Sequence, residues 1–330
     1  MPLSTVIHIT FDVLGINHLI DVGEKIGKQF PLIKKAHQVD IIATNYQRTQ
    51  LSVQAMLTGL GLEDISKKGM KVRVRDIQQC AMSFYEGNPQ LASRLFKNVQ
   101  ALQDFQQLEE PMLSISAALM EEFPLMARKD NDSKIDWLAA FDYFACREAH
   151  NLPISGNLEK DTPYGNLIKD HMVRRFSMYL ASGGEHIKLA VGPLLRDMRH
   201  SAHQIIAGAI DENQDEETRN INVHIYSGHD VNILGLLYAL DADPQIISPP
   251  FWPDYGSNLI VEILQGGSLN LYYETKPLKI RNANNKLSES NTISAEDLDS
   301  IMNVTFLGEE EHQRALLEHR VPADEVKDEL

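Results

Sequence analysis

The sequence predicts an α/β fold with a mainly helical lobe inserted into it. Two observations carry this. A short apolar run, a polar turn and an amphipathic helix follow one another twice, at 39–61 and at 222–240. Between them, residues 65–189 carry helical periodicity and few strand-like runs. The expected division is an α/β core from 1–64 and 190–305, a helical cap lobe from 65–189, and a C-terminal tail from 306–330.

Taken in order, "NHLIDVGEKIGKQF" places Leu19, Ile20, Val22, Ile26 and Phe30 at helical spacing, and Pro31 closes the helix. "VDIIATN" is a short apolar run bounded by polar residues and reads as a buried strand. "QRTQLSVQAMLTGLG" is the helix behind it, with Leu51, Met56, Leu57 and Leu60 on one face and glycines at its end. "NPQLASRLFKNVQALQDFQQL" and "NLIKDHMVRRFSMYLASGG" are helices of the lobe. "IKLAVGPLLRDMRHSAHQIIAGAI" is helical with a break at Gly192-Pro193. "NVHIYSG" alternates Val223 and Ile225 against His224 and Tyr226, as a strand does. "VNILGLLYAL" turns Ile233, Leu234, Leu237 and Leu240 to a core. "LIVEILQGGSLNLYYE" reads as a hairpin with Gly266-Gly267 at its turn. A polar link at 281–293 leads to a helix whose start, Ser294 three before Asp297, has a capping pattern.

Composition excludes several classes. The 330 residues are 43% hydrophobic and 23% charged, which is ordinary for a globular chain. A net charge of −15 argues against a nucleic-acid binder, which needs a basic face. No apolar run reaches membrane-spanning length. Cys80 and Cys146 have no metal-ligand spacing. In an oxidising compartment they would close a loop worth about 4 kcal/mol; otherwise they are buried thiols.

Chemistry concentrates just beyond two strand ends. Arg48 follows "VDIIATN", and His229 and Asp230 follow "NVHIYSG". Ligands of open α/β sheets bind at that edge, where helix N-termini offer free N–H groups to an anion. Each residue has an ordinary alternative: a surface arginine, a buried histidine, a helix cap. A cation in the first turn of a helix is unfavourable, however, and a bound phosphate would account for Arg48.

On these segments the chain resembles the histidine acid phosphatases, the second branch of the histidine phosphatase superfamily. "YSGHDVNILGLLYAL" is similar to their His-Asp segment and "ATNYQRTQLSVQAMLTGL" to their second arginine segment. "LGINHLIDVGEKIGKQFP", "FDYFACREAHNLP", "AVGPLLRDM" and "PPFWPDYGSNLIVEI" agree in the same order, so the likeness spans roughly 11–305. The resemblance implies a phosphoglycerate-mutase-like three-layer core with the helical lobe inserted, and hydrolysis of a phosphorylated small molecule through a phosphohistidine. It assigns Arg48 and His229 to phosphate binding and Asp230 to donating a proton to the leaving oxygen. It implies no metal or other cofactor, since arginines neutralise the phosphate.

The family's nucleophile lies in an Arg-His-Gly-x-Arg-x-Pro motif at the end of its first strand, and this sequence holds none. Arg199-His200 is followed by Ser201 within a helical pattern, and "EHRVP" has the wrong order and place. The chain is therefore expected to be inactive as written. One explanation is truncation, with the motif, the first strand and a signal sequence lying upstream of Met1, and "STVIHITF" a partial stand-in for the strand. The other is a pseudophosphatase that binds a phosphorylated ligand or partner. A scaffold sharing only the fold is a third reading. The last residues, Lys327-Asp328-Glu329-Leu330, match the retrieval signal of the endoplasmic reticulum, which predicts a luminal protein recognised by the retrieval receptor. The sequons at Asn131 and Asn303 agree with that compartment. "MPLSTVIHITFDVLG" carries no signal sequence. The family's substrates include general phosphomonoesters, lysophosphatidate and inositol polyphosphates; the His-Asp pair is of the acid-phosphatase type.

Overall fold

The computed structural model describes residues 13–35, 38–62, 72–128, 131–153, 164–181, 184–209, 222–247, 251–264, 267–281, 286–305, 307 and 309–318. The segment "STVIHITF", Gly266 and the terminal Lys327–Leu330 lie outside these residues. The chain forms two compact units. One comprises residues 94–183 with 245–252, and the other residues 9–93, 184–244 and 253–330. In chain order the strands are β1 (Gln38–Ala43), β2 (Val72–Val74), β3 (Ala127–Arg128), β4 (Asn131–Ile135), β5 (Asn222–Ser227), β6 (Leu259–Ile263), β7 (Leu269–Tyr273), β8 (Lys276–Pro277) and β9 (Thr292–Ile293).

The larger unit is an α/β core. Its parallel sheet has the order β2-β1-β5. β1 and β5 run in register from Gln38 opposite Asn222 to Ala43 opposite Ser227, so their carboxyl ends lie side by side. Alternation along each strand sorts the two faces. Val39, Ile41, Val223 and Ile225 join a core with Val22, Ile26, Val53, Leu57 and Leu60. Those partners come from two helices, α1 (Val13–Gln29) and α2 (Gln47–Leu60). The opposite face carries Asp40, His224 and Tyr226; the Tyr226 hydroxyl meets Ser201 of the Gly192–Ala209 helix at 3.1 Å. The sheet is thus covered on both faces, as parallel sheets are. β2 lies inside the stretch that reads as helical. Its three residues, "VRV", are all exposed and present no apolar run to a sequence reading.

α1 and α2 cross on glycine. A Cβ on Gly59 would lie 2.0 Å from the Ile20 carbonyl oxygen, and one on Gly23 would lie 2.1 Å from that of Met56. Only residues without a side chain let the two backbones come so close. Gly61, at φ 72°, ends α2 in the left-handed conformation and donates to Leu57 and Thr58 carbonyls. The helices Glu185–Ala190 and Gly192–Ala209 are separated at Val191, and Gly192-Pro193 opens the second of them. β6 and β7 form the expected antiparallel hairpin, extended by β8 and β9. Ser294 Oγ accepts the Asp297 amide at 3.0 Å and caps the Ala295–Thr305 helix.

The smaller unit is mainly helical. Phe105 stacks on Tyr179 at 5.4 Å, and Phe176 meets Trp252 edge-on at 5.1 Å. One charged group runs through it. Glu109 Oε1 lies 3.0 Å from His171 Nε2 and accepts from Arg175 Nη1 at 2.5 Å. Arg175 Nη2 also donates to the Tyr179 hydroxyl at 3.1 Å. Neither cysteine forms a disulfide among the described residues; Cys80 is buried and Cys146 partly so. No helix among the described residues is long and apolar enough to cross a membrane.

Candidate active site

The adjacent carboxyl ends of β1 and β5 bring together residues nearly two hundred positions apart. The Thr44 amide extends the ladder to the Ser227 carbonyl at 3.1 Å, and Ser227 Oγ donates to the Thr49 carbonyl at 2.7 Å. These bonds lock the start of α2 against the end of β5. Arg48 enters the first turn of α2, and its Nη2 lies 3.2 Å from His229 Nδ1. His229 Nε2 lies 3.1 Å from Thr44 Oγ1, which in turn lies 2.9 Å from Thr49 Oγ1.

His229 caps the Asp230–Ala239 helix from an extended backbone. Its amide donates to Asn232 Oδ1 at 2.8 Å, while Asn232 Nδ2 donates to the Met82 carbonyl at 3.0 Å. Gly228 makes room for this clamp, because a Cβ there would lie 2.5 Å from Asn232 Oδ1. Tyr46 forms an aromatic wall. Its ring meets the His229 ring edge-on at 5.2 Å, and the Arg48 guanidinium sits over it, 4.3 Å from the centroid. Asp230 is exposed, with Oδ1 accepting the Val231 amide at 2.8 Å.

Burial, reinforced by the neighbouring Arg48 charge, pulls His229 down to about 4, so the imidazole is neutral near pH 7. Burial, and then the Glu86 carboxylate, pushes the Tyr46 phenol upward. Neutrality determines the tautomer. A guanidinium only donates, so Nδ1 accepts and Nε2 carries the proton. Nε2–H donates to Thr44, and Thr44 donates to Thr49. Thr49 donates to a backbone carbonyl, that of Tyr46 at 2.8 Å or of Thr44 at 3.1 Å. Both ring nitrogens are engaged, so the ring orientation is defined.

The three residues singled out from sequence therefore meet at one edge: Arg48 and His229 in contact, Asp230 beside them on the solvent side. The supporting residues Thr44, Tyr46, Thr49 and Asn232 were not anticipated. Their only signal was position, within four residues of Arg48 or His229. Among the described residues no group of three His, Cys, Asp or Glu side chains is placed to hold a metal.

The fold is an α/β one with a parallel sheet, and at its carboxyl edge an arginine and a neutral histidine stand in contact. The sequence profile of the histidine phosphatase superfamily (branch 2) matches residues 13–285, and the chain belongs to that family. No curated protein sequence matches significantly. Among solved structures, the chain is similar to the phytase from Citrobacter braakii at 15% identity and a TM-score of 0.52, over 99% of this chain and 92% of that one. It is also similar to the Hafnia alvei phytase in complex with myo-inositol hexakis sulphate, at 12% identity and a TM-score of 0.57, over 92% and 89%. At such identities the likeness is one of fold.

Proposed function

We propose that this site binds the phosphoryl group of phosphomonoesters, with Arg48 and His229 on its oxygens and Asp230 as proton donor to the leaving oxygen. The Arg48–His229 contact of 3.2 Å at the sheet's carboxyl edge supports the reading most directly. Arg48 supplies a fixed positive charge where negative charge collects in phosphoryl transfer. Asp230 is exposed next to His229 in the chain, and an acid placed against the leaving oxygen is worth about 10²–10⁴-fold in rate. In the full reaction a histidine attacks phosphorus and the ester P–O bond breaks. Asp230 protonates the departing oxygen, and water then cleaves the phosphohistidine.

The sequence contains no Arg-His-Gly triplet, and on our reading this is a phosphomonoester hydrolase of acid-phosphatase type that, as written, binds the phosphoryl group without turning it over. A pseudophosphatase that holds a phosphorylated ligand is the second reading, favoured by the same missing triplet. We also place the protein in the endoplasmic reticulum lumen, with Lys327–Leu330 read by the retrieval receptor. Calorimetric titration of the purified chain with inorganic phosphate, phenyl phosphate and inositol hexakisphosphate tests the site; the last is included because the similar structures are phytases. Arg48→Gln should weaken phosphate binding at least about tenfold, a loss of about 1.4 kcal/mol. Unchanged affinity in that variant sinks the proposal. Turnover of phenyl phosphate that Asp230→Asn abolishes would show that the chain holds its own nucleophile.

A further inference from the structure

The hydrogen bonds below His229 run in one direction. Arg48 can only donate to Nδ1. Nε2 must then carry the ring proton and give it to Thr44 Oγ1. Thr44 has one hydroxyl proton, and with its oxygen already accepting it turns that proton to Thr49. Thr49 passes its own proton to a main-chain carbonyl, which can only accept. Thr44 and Thr49 are both buried, at 0% and 3% exposure, so water does not substitute for either partner. Reversing the Nε2–Thr44 bond sets Nδ1–H against the Arg48 guanidinium, and reversing the Thr44–Thr49 bond leaves the Thr44 proton and a main-chain carbonyl unpaired, each a defect costing about 1–3 kcal/mol.

An oxyanion arriving at this edge meets Nδ1 as an acceptor, because Arg48 fills that lone pair. Two acceptors cannot bond each other. Either His229 is bypassed, or Nδ1 takes a proton from solvent while Arg48 turns to the anion. Among the described residues, Tyr46 of the β1–α2 turn and Arg48 of the first turn of α2 face the ring, and Asp230 follows on its own helix. Glu86 acts on Tyr46, and Asn232 and Met82 are uncharged.

We propose that Thr44 and Thr49 are positioning residues that hold His229 as the Nε2–H tautomer, so that an oxyanion engages His229 only with the uptake of one proton at Nδ1. This rests on the anion-site reading of Arg48 and His229. Binding and protonation then favour each other by the same factor.

The test uses sulfate, which stays a dianion across pH 5–8 where phosphate titrates. Nitrogen-15 spectra of the free chain at pH 7, with His229 assigned through His229→Gln, read the tautomer without any ligand. The expected state is a protonated Nε2 and a bare Nδ1; a protonated Nδ1 overturns the positioning role. Calorimetry in buffers of differing ionisation heat should show one proton taken up per sulfate, and sulfate affinity falling about tenfold per pH unit through this range. Asp230→Asn separates a proton on His229 from one on Asp230: loss of the slope in that variant assigns the proton to Asp230 and overturns the coupling. Thr44→Val should flatten it and move ring protons to Nδ1, while Thr44→Ser restores both. A pH-independent affinity in the parent chain overturns the coupling. If sulfate does not bind but the Nε2–H tautomer is present, the anion-site reading and the coupling fail together and the positioning role stands.

Discussion

Gly59→Ala should separate the two helices that carry Arg48 to its place. The new Cβ would lie 2.0 Å from the Ile20 carbonyl oxygen and 2.9 Å from the Glu24 amide nitrogen. Ordinary contact begins at 3.4 Å, so one helix must retreat by more than an ångström, and backbone atoms cannot rotate aside. Forced separation of a packed interface costs about 3 kcal/mol at the upper end of overpacking changes. Alanine returns about 1 kcal/mol of helix propensity. The net expectation is a loss of about 2 kcal/mol in urea-induced unfolding at pH 7. Gly61→Ala is the control. Its Cβ meets nothing within 4 Å, so it loses only the roughly 1 kcal/mol of a left-handed backbone. Gly59→Ala should therefore be the more damaging, and its sulfate affinity should fall because Arg48 leads the displaced helix. A Gly59→Ala chain as stable as the parent, or more stable, would refute the close crossing.

Acid should weaken the fold between pH 6.5 and 4. His186 and His229 are each pulled down to about 4, chiefly by burial, so through this window the unfolded chain binds protons that the folded chain refuses. Each contributes up to about 3 kcal/mol of that loss, and His186→Gln should remove its share when stabilities at pH 7 and 4.5 are compared. Glu109→Gln removes the carboxylate that His171 and Arg175 share, with Arg175 only 12% exposed, and should cost about 2 kcal/mol in thermal unfolding. Ser294→Ala removes the cap of the Ala295–Thr305 helix and should cost about 1 kcal/mol, read as faster amide exchange over 295–298.

The positions of Arg48, His229 and Asp230 were legible because strand, turn and helix each leave a local pattern, and residues just past a strand's carboxyl end fall at the sheet edge where ligands bind. The cover of α1 and α2 was legible in the spacing of Val22, Ile26, Leu57 and Leu60. β2 was not, because three exposed residues at a sheet edge need no apolar signature. The roles of Thr44 and Thr49 were not legible either. They depend on the register that sets Ala43 opposite Ser227, and nothing near either strand encodes it. Gly23 and Gly59 carry no local signal of their role; the crossing shows each to be the point of contact.

The hydrogen bonds around His229, completed by one ring contact, return to their starting residue. They leave from Arg48 and run through His229, Thr44 and Thr49, whose shortest onward bond reaches the carbonyl of Tyr46, and the Tyr46 ring carries Arg48. In such a closed circuit no member has an independent effect. Two substitutions within it should cost far less than the sum of their separate costs, since the first already breaks what the second would break. A lineage drifting through this site would therefore change it in concerted sets rather than one residue at a time. An engineer seeking a different anion preference should treat the five residues as a single unit of replacement.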